Sequence, residues 1–278
     1  MGAVDAHQHH DHDVHEGHHV HDHHGHDHHD EPMTAEEAMR SLLLLGEVAL
    51  SANDYESAVE AYASAVKLGP DETAFYNLGS LYARGLGVGR NYVEAARLFH
   101  QAELLGNARA GKLCAKCMFD YLHEGLDDKT PTDLYAMMAW FVSTVYPEAD
   151  DAKQEVNRGL VAVGGTLLNA GEHAGAAKVF RAAAEFGADG AAQYYLAVLY
   201  NAGTGVEQND LAALYWLDCA VDNGAEEALA DRDGMLDAYQ QALSPAEFRG
   251  MLEQLAASCE AGTPDIPADP AKAARWRS

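Results

Sequence analysis

The chain has 278 residues, 48% of them hydrophobic, and a formal net charge of −26. That length leaves room for one or two domains with a sizeable core. The charge disfavours nucleic acid, which is held by Lys and Arg displacing counterions, and favours a protein partner with a basic face.

Residues 1–32 are a low-complexity tract. It holds thirteen of the sixteen histidines (His7, His9, His10, His12, His15, His18, His19, His21, His23, His24, His26, His28 and His29) and eight Asp or Glu, with no Lys or Arg. So few apolar side chains cannot offset chain entropy, and the tract is expected to be disordered. Dense imidazole on such a chain can wrap a divalent transition metal, Zn²⁺ or Ni²⁺. His15-Glu16-Gly17-His18-His19 matches the zinc-protease spacing. That chemistry needs a rigid helix, which Gly17 and the repetitive composition oppose. No apolar leader core is present, Ala6 stands where a myristoylation signal needs Ser or Thr, and no run reaches about 18 apolar residues. With only four cysteines in a chain of this length, a cytoplasmic location is expected.

From Met33 onward, helix formers with apolar periodicity take over. The block 42–106 recurs, without a gap, at 160–224. Gly46, Ala58, Tyr76, Leu78, Tyr82, Gly85, Gly87, Val88 and Asn91 reappear 118 residues later as Gly164, Ala176, Tyr194, Leu196, Tyr200, Gly203, Gly205, Val206 and Asn209. An internal duplication of this kind points to a helical solenoid.

The first helix pair of each block resembles a tetratricopeptide repeat: Leu42, Leu45, Gly46 and Ala49 precede Ala58, Tyr62, Ala65 and Pro70. The copy keeps Gly164, Ala176 and Phe180 and loses the Pro. The second pair, with its Gly85-Leu86-Gly87-Val88 loop and the copy Gly203-Thr204-Gly205-Val206, resembles the Sel1-like repeat. Gly85 and Gly87 suit left-handed backbone, Val88 suits an apolar plug, and Asn91 and Asn209 suit helix N-caps.

Residues 108–146 read as a degenerate pair, with Gly125 ending its first helix. Cys114 and Cys117 lie in its apolar stripe, as core residues and not a redox pair. Residues 225–278 read as capping helices, with Ser244 as N-cap before Pro245 and a truncated Sel1-like second helix from Asp269.

The resemblance implies an all-α, right-handed superhelical solenoid over 33–278, with no catalytic residues and no required cofactor. Its groove positions fall on Arg40, Leu43, Glu47, Leu50, Arg158, Val161 and Asn169. In the Sel1-like pairs, Asn77, Ser80, Arg84, Tyr195, Val198 and Asn201 point away from the apolar stripe. The expected function is a protein–protein scaffold or adaptor. The alternative is a metal-handling protein that uses the tail for Ni²⁺ or Zn²⁺ and the solenoid for docking.

Overall fold

A computed structural model describes residues 33–149 and 151–278. Among them the chain is all helix, without strands. The order is α1 (Ala35–Ser51), α2 (Tyr55–Leu68), α3 (Glu72–Arg84), α4 (Tyr92–Leu104), α5 (Ala108–His123), α6 (Pro131–Val145) and α7 (Ala152–Ala170). Then follow α8 (His173–Ala182) with a π-helical turn (Ala183–Gly187), α9 (Gly190–Ala202), α10 (Asp210–Asp222), α11 (Glu226–Ala242), α12 (Pro245–Ala261) and α13 (Pro270–Arg277). Neighbours in sequence pack as neighbours in space, with α1 on α2, α3 on α4, α7 on α8, α9 on α10 and α12 on α13.

Helix starts follow from short polar side chains that accept from the orphan N–H groups of the first turn. Asp71 and Asp189 cap α3 and α9, and Asn91 and Asn209 cap α4 and α10, at 2.8–3.0 Å. Ser244 and Glu247 form a reciprocal capping box at α12, and Thr130 and Asp133 form another at α6.

Close packing within the pairs rests on missing side chains. A Cβ on Gly46 would stand 2.5 Å from Tyr62 Cζ, and one on Gly164 would stand 2.6 Å from Phe180 Cε1. Both rings are fully buried, so these glycines set how near α1 comes to α2 and α7 to α8.

The Gly-x-Gly-Val loops have a second role. Gly87 and Gly205 adopt φ of +68° and +76°. A Cβ there would lie 2.3 Å from the Tyr55 backbone, and 2.4 Å from that of His173. Each loop therefore rests on the N-terminal turn of the second helix of the preceding pair, α2 or α8. Val206 packs on the larger core, whereas in the first copy it is Leu86 that packs on the smaller one, with Val88 half-buried.

The two blocks differ where the Pro was lost. Pro70 stops α2 cleanly. Without it, α8 runs on into the π turn, and Ala188 closes the segment at φ +53°, a left-handed conformation unusual for a residue with a Cβ.

α5 ends at His123 with Glu124 as its C-cap, immediately before Gly125, and the chain turns through Gly125 N–H and Leu126 N–H donating to Leu122 O and His123 O, without a left-handed φ at the glycine. One expectation needs correction: α11 and α12 are not a simple pair of caps, because α12 pairs with α13. Their connecting loop seats Ile266 in the core and docks Asp265 on the previous block. Tyr200 Oη and Asn209 Nδ2 donate to the Asp265 carboxylate, and Trp216 Nε1 donates to its carbonyl, at 2.9–3.0 Å.

Ion pairs complete the attachment of α13. Lys272 Nζ lies 2.7 Å from both Asp218 and Asp222, Arg275 pairs with the same two carboxylates, and Arg232 reaches Asp218 at 3.1 Å. Asp218 and Lys272 are buried, where charges persist only when paired.

Candidate partner-binding surface

The first helices of the repeats carry two clefts in equivalent places. Ser80, Ala83 and Arg84 of α3, Phe99 of α4, and Leu113, Lys116, Cys117 and Asp120 of α5 enclose about 270 Å³. Tyr194, Ala197, Val198 and Asn201 of α9, Leu217 of α10, and Asp231, Gly234 and Met235 of α11 enclose about 600 Å³. The linings correspond at the 118-residue spacing: Ser80 with Val198, Ala83 with Asn201, Phe99 with Leu217, Lys116 with Gly234 and Cys117 with Met235.

Their chemistry has diverged. In the first cleft Lys116 Nζ is held 2.7–2.8 Å from both oxygens of Asp120, one turn along the same helix. In the second, Tyr194 Oη donates to Asp231 at 2.9 Å, and that carboxylate raises the phenol pKa.

Of the residues expected to face a partner, Ser80 and Arg84 line the first cleft, and Val198 and Asn201 line the second. Asn77 is half-buried on α3, one turn from them. Tyr195, on α9, stacks on Phe180 with ring centroids 4.9 Å apart and stays 40% exposed. Arg40 and Arg158 are exposed and pair within their own helices, with Glu36 at 2.9 Å and Glu155 at 2.6 Å. Glu47 and Asn169 are exposed on α1 and α7, while Leu43, Leu50 and Val161 pack against the cores. The α5 and α11 walls escape sequence reasoning, although extending the 118-residue spacing past Gly106 brings Cys117 onto Met235.

Cys114 and Cys117 are buried, and burial pushes their thiols up to about 11 and about 12. Cys114 Sγ lies 3.1 Å from Tyr146 Oη. Neither thiol supplies a thiolate near neutral pH, so the pair lacks the low-pKa sulfur of a redox motif. Among the described residues no group of three or more His, Cys, Asp or Glu side chains is placed to hold a metal ion. The thirteen tail histidines lie outside the described residues. No described helix is long and apolar enough to cross a membrane.

The α3–α4 and α9–α10 pairs, and the hairpin of α12 and α13, correspond to three stretches matched by the Sel1 repeat model: residues 74–107, 190–224 and 252–276. The chain carries Sel1 repeats. The third stretch covers just under half of residues 225–278, which read in sequence as a cap, and takes in the Sel1-like second helix expected from Asp269.

Among solved structures, the chain is similar to a Sel1 repeat protein from Oxalobacter formigenes, at 20% identity over 88% of this chain and 86% of that one, with a TM-score of 0.26. A protective antigen of uropathogenic Escherichia coli, described as displaying an SLR fold, is similar at 20% identity over 87% of this chain and 53% of that one, with a TM-score of 0.32. A Sel1 repeat protein from Klebsiella pneumoniae is similar at 20% identity over 72% of this chain and 95% of that one, with a TM-score of 0.28. No curated protein matches.

Proposed function

We propose that this Sel1-repeat chain is a non-catalytic scaffold or adaptor that holds another protein against the face formed by α3, α5, α9 and α11. The observation that carries the reading is the pair of equivalent clefts on that face, duplicated in position and divergent in lining. Repeat arrays present such surfaces as extended binding faces, and Sel1 repeats typically mediate protein–protein contacts. A basic face on the partner suits α11, which carries Glu226, Glu227, Asp231, Asp233 and Asp237 against a single Arg232. A cytoplasmic setting belongs to the same reading and rests on the sparse cysteines.

The test is affinity capture from native lysate with the full chain and with V198E/N201K, which changes the lining of the α9–α11 cleft. A partner captured by the parent and lost by the variant supports the reading. Equal capture by both, or none by either, counts against it.

A second reading, metal handling, is supported by the thirteen histidines and eight carboxylates of residues 1–32. Calorimetric titration with Ni²⁺ and Zn²⁺ separates it: the full chain is expected to take up several ions that a chain starting at Met33 does not. Equal uptake by both would end it.

A further inference from the structure

Charge inverts locally along this acidic chain. Between Arg84 and Met118 there are six Lys or Arg (Arg84, Arg90, Arg97, Arg109, Lys112 and Lys116) and two acids (Glu94 and Glu103), a local charge of +4 in a chain of −26. Three of these cations are already neutralised: Arg90 by Glu124 at 2.7 Å, Arg97 by Glu94 at 2.6 Å and Lys116 by Asp120 at 2.7 Å. Arg84, Arg109 and Lys112 are exposed and make no ion pair among the described residues. Arg109, Lys112 and Lys116 are spaced three and four residues apart, which stacks them along one face of α5. Lys116 lines the α3–α5 cleft, so the row runs beside that cleft, with Arg84 on its opposite wall. The apolar lining is made by Ala83, Phe99, Leu113 and the protonated Cys117; Ser80 and Asp120 line the cleft too, and the Asp120 carboxylate is taken up by Lys116.

We propose that the α3–α5 cleft docks an acidic protein segment that inserts one aliphatic side chain between Phe99 and Cys117 while its carboxylates meet Arg84, Arg109 and Lys112. Charge complementarity selects this occupant. Unpaired cations flank an apolar hole sized for one side chain, and long-range repulsion from the rest of the chain falls off within about 10 Å at moderate salt. The apolar hole favours a peptide over a nucleic acid, whose phosphates would meet the same cations but leave the hole unfilled. The α9–α11 cleft is a built-in comparison, with Asp231 where the first has Leu113 and Gly234 where it has Lys116.

The inference rests on the reading of the chain as an interaction module, and its test separates the two. Fluorescence anisotropy is followed on the full chain with three labelled probes: a short peptide alternating Glu and Leu, its Lys and Leu counterpart, and oligouridine. The Glu–Leu peptide is expected to bind, to weaken as salt rises, and to lose at least about tenfold in affinity in R109E/K112E, with circular dichroism unchanged because both sites are exposed. A photo-reactive group at its central Leu is expected to cross-link to α3 or α5. Equal binding of oligouridine, insensitivity to the double charge reversal, or no binding would overturn the assignment. Binding of the Lys–Leu peptide alone, abolished by D231K, would overturn it too while leaving the chain a protein-binding module.

Discussion

Gly205→Ala adds one methyl group where the structure has no place for it. The new Cβ would stand 2.4 Å from the carbonyl carbon of His173, 2.5 Å from its oxygen and 2.6 Å from the nitrogen of Ala174. All three atoms are backbone of the first turn of α8, so no rotamer change relieves the contact. The left-handed φ of +76° costs a residue with a Cβ about 1–2 kcal/mol, and forced displacement in a packed region costs about 1–3 kcal/mol more. The expected loss is about 2–5 kcal/mol, which lowers the thermal midpoint of a domain this size by about 5–15 °C. Gly224→Ala is the matched control: its φ is +83°, but no atom lies within 4 Å of the added Cβ, so only the conformational part, about 1–2 kcal/mol, applies. Scanning calorimetry on the two variants isolates the contact. Similar losses in both would mean that the loop of the α9–α10 pair does not press on α8, and would refute the account of how successive pairs are joined.

Gly234 lies inside α11 with open space around it, so Gly234→Ala is expected to stabilise the chain by about 0.5–1 kcal/mol, read as a higher urea midpoint. Ala188→Gly, at φ +53°, is expected to gain about 1 kcal/mol by the same measure, because glycine adopts this conformation freely. Burial pushes the four thiols up to about 11–12, so their reaction with dithionitrobenzoate near pH 8 is expected to run about 10²-fold slower in the native chain than in denaturant. Rapid native labelling of any one would refute that. Lys272→Met strips one of three cationic partners from the buried Asp218, leaving Arg232 and Arg275, and is expected to cost about 1–3 kcal/mol, seen as faster amide exchange confined to α13 and its loop. Hydrogen bonds from Arg275, ahead of those from Lys272, hold the Asp222 carboxyl down at about 2, against about 4 in an unfolded chain. Its folded pKa is the lower one, so its contribution is complete above about pH 4 and is lost as pH falls toward 2. Exchange at α13 that does not rise across that window would count against the ion cluster.

What could be read in the sequence was what close approach forces to be small. Gly46 and Gly164 face rings, and Gly87 and Gly205 face backbone, so the duplication survives at those positions and announces the repeats. Of the third Sel1 repeat only the second helix, from Asp269, was legible, because its loop reads Gly262-Thr263-Pro264-Asp265-Ile266, with Ile266 buried in the absence of the family Val. Gly125 marks the end of α5 without left-handed backbone. The binding face was half legible: Ser80, Arg84, Val198 and Asn201 follow from helical spacing within one element. The α5 and α11 walls come from the next repeat, where identity between the copies has faded. The Asp218–Lys272 contact joins residues far apart in sequence, and no local pattern reports it.

Three loops seat toward the N-terminus, whereas the α5–α6 loop takes Lys178 Nζ of the later α8 on its Leu126 and Asp127 carbonyls. That of α3 and α4 rests on α2, that of α9 and α10 on α8, and that of α12 and α13 on the start of α10. A chain made from its N-terminus completes each seat before the loop that needs it emerges. Shortening the array from its C-terminus by α13 strips Lys272 and Arg275 from the buried Asp218. Shortening it from the other end strips the seat and strands the loop above it, so the two truncations are expected to fail through different contacts, an unpaired charge at one end and an unseated loop at the other.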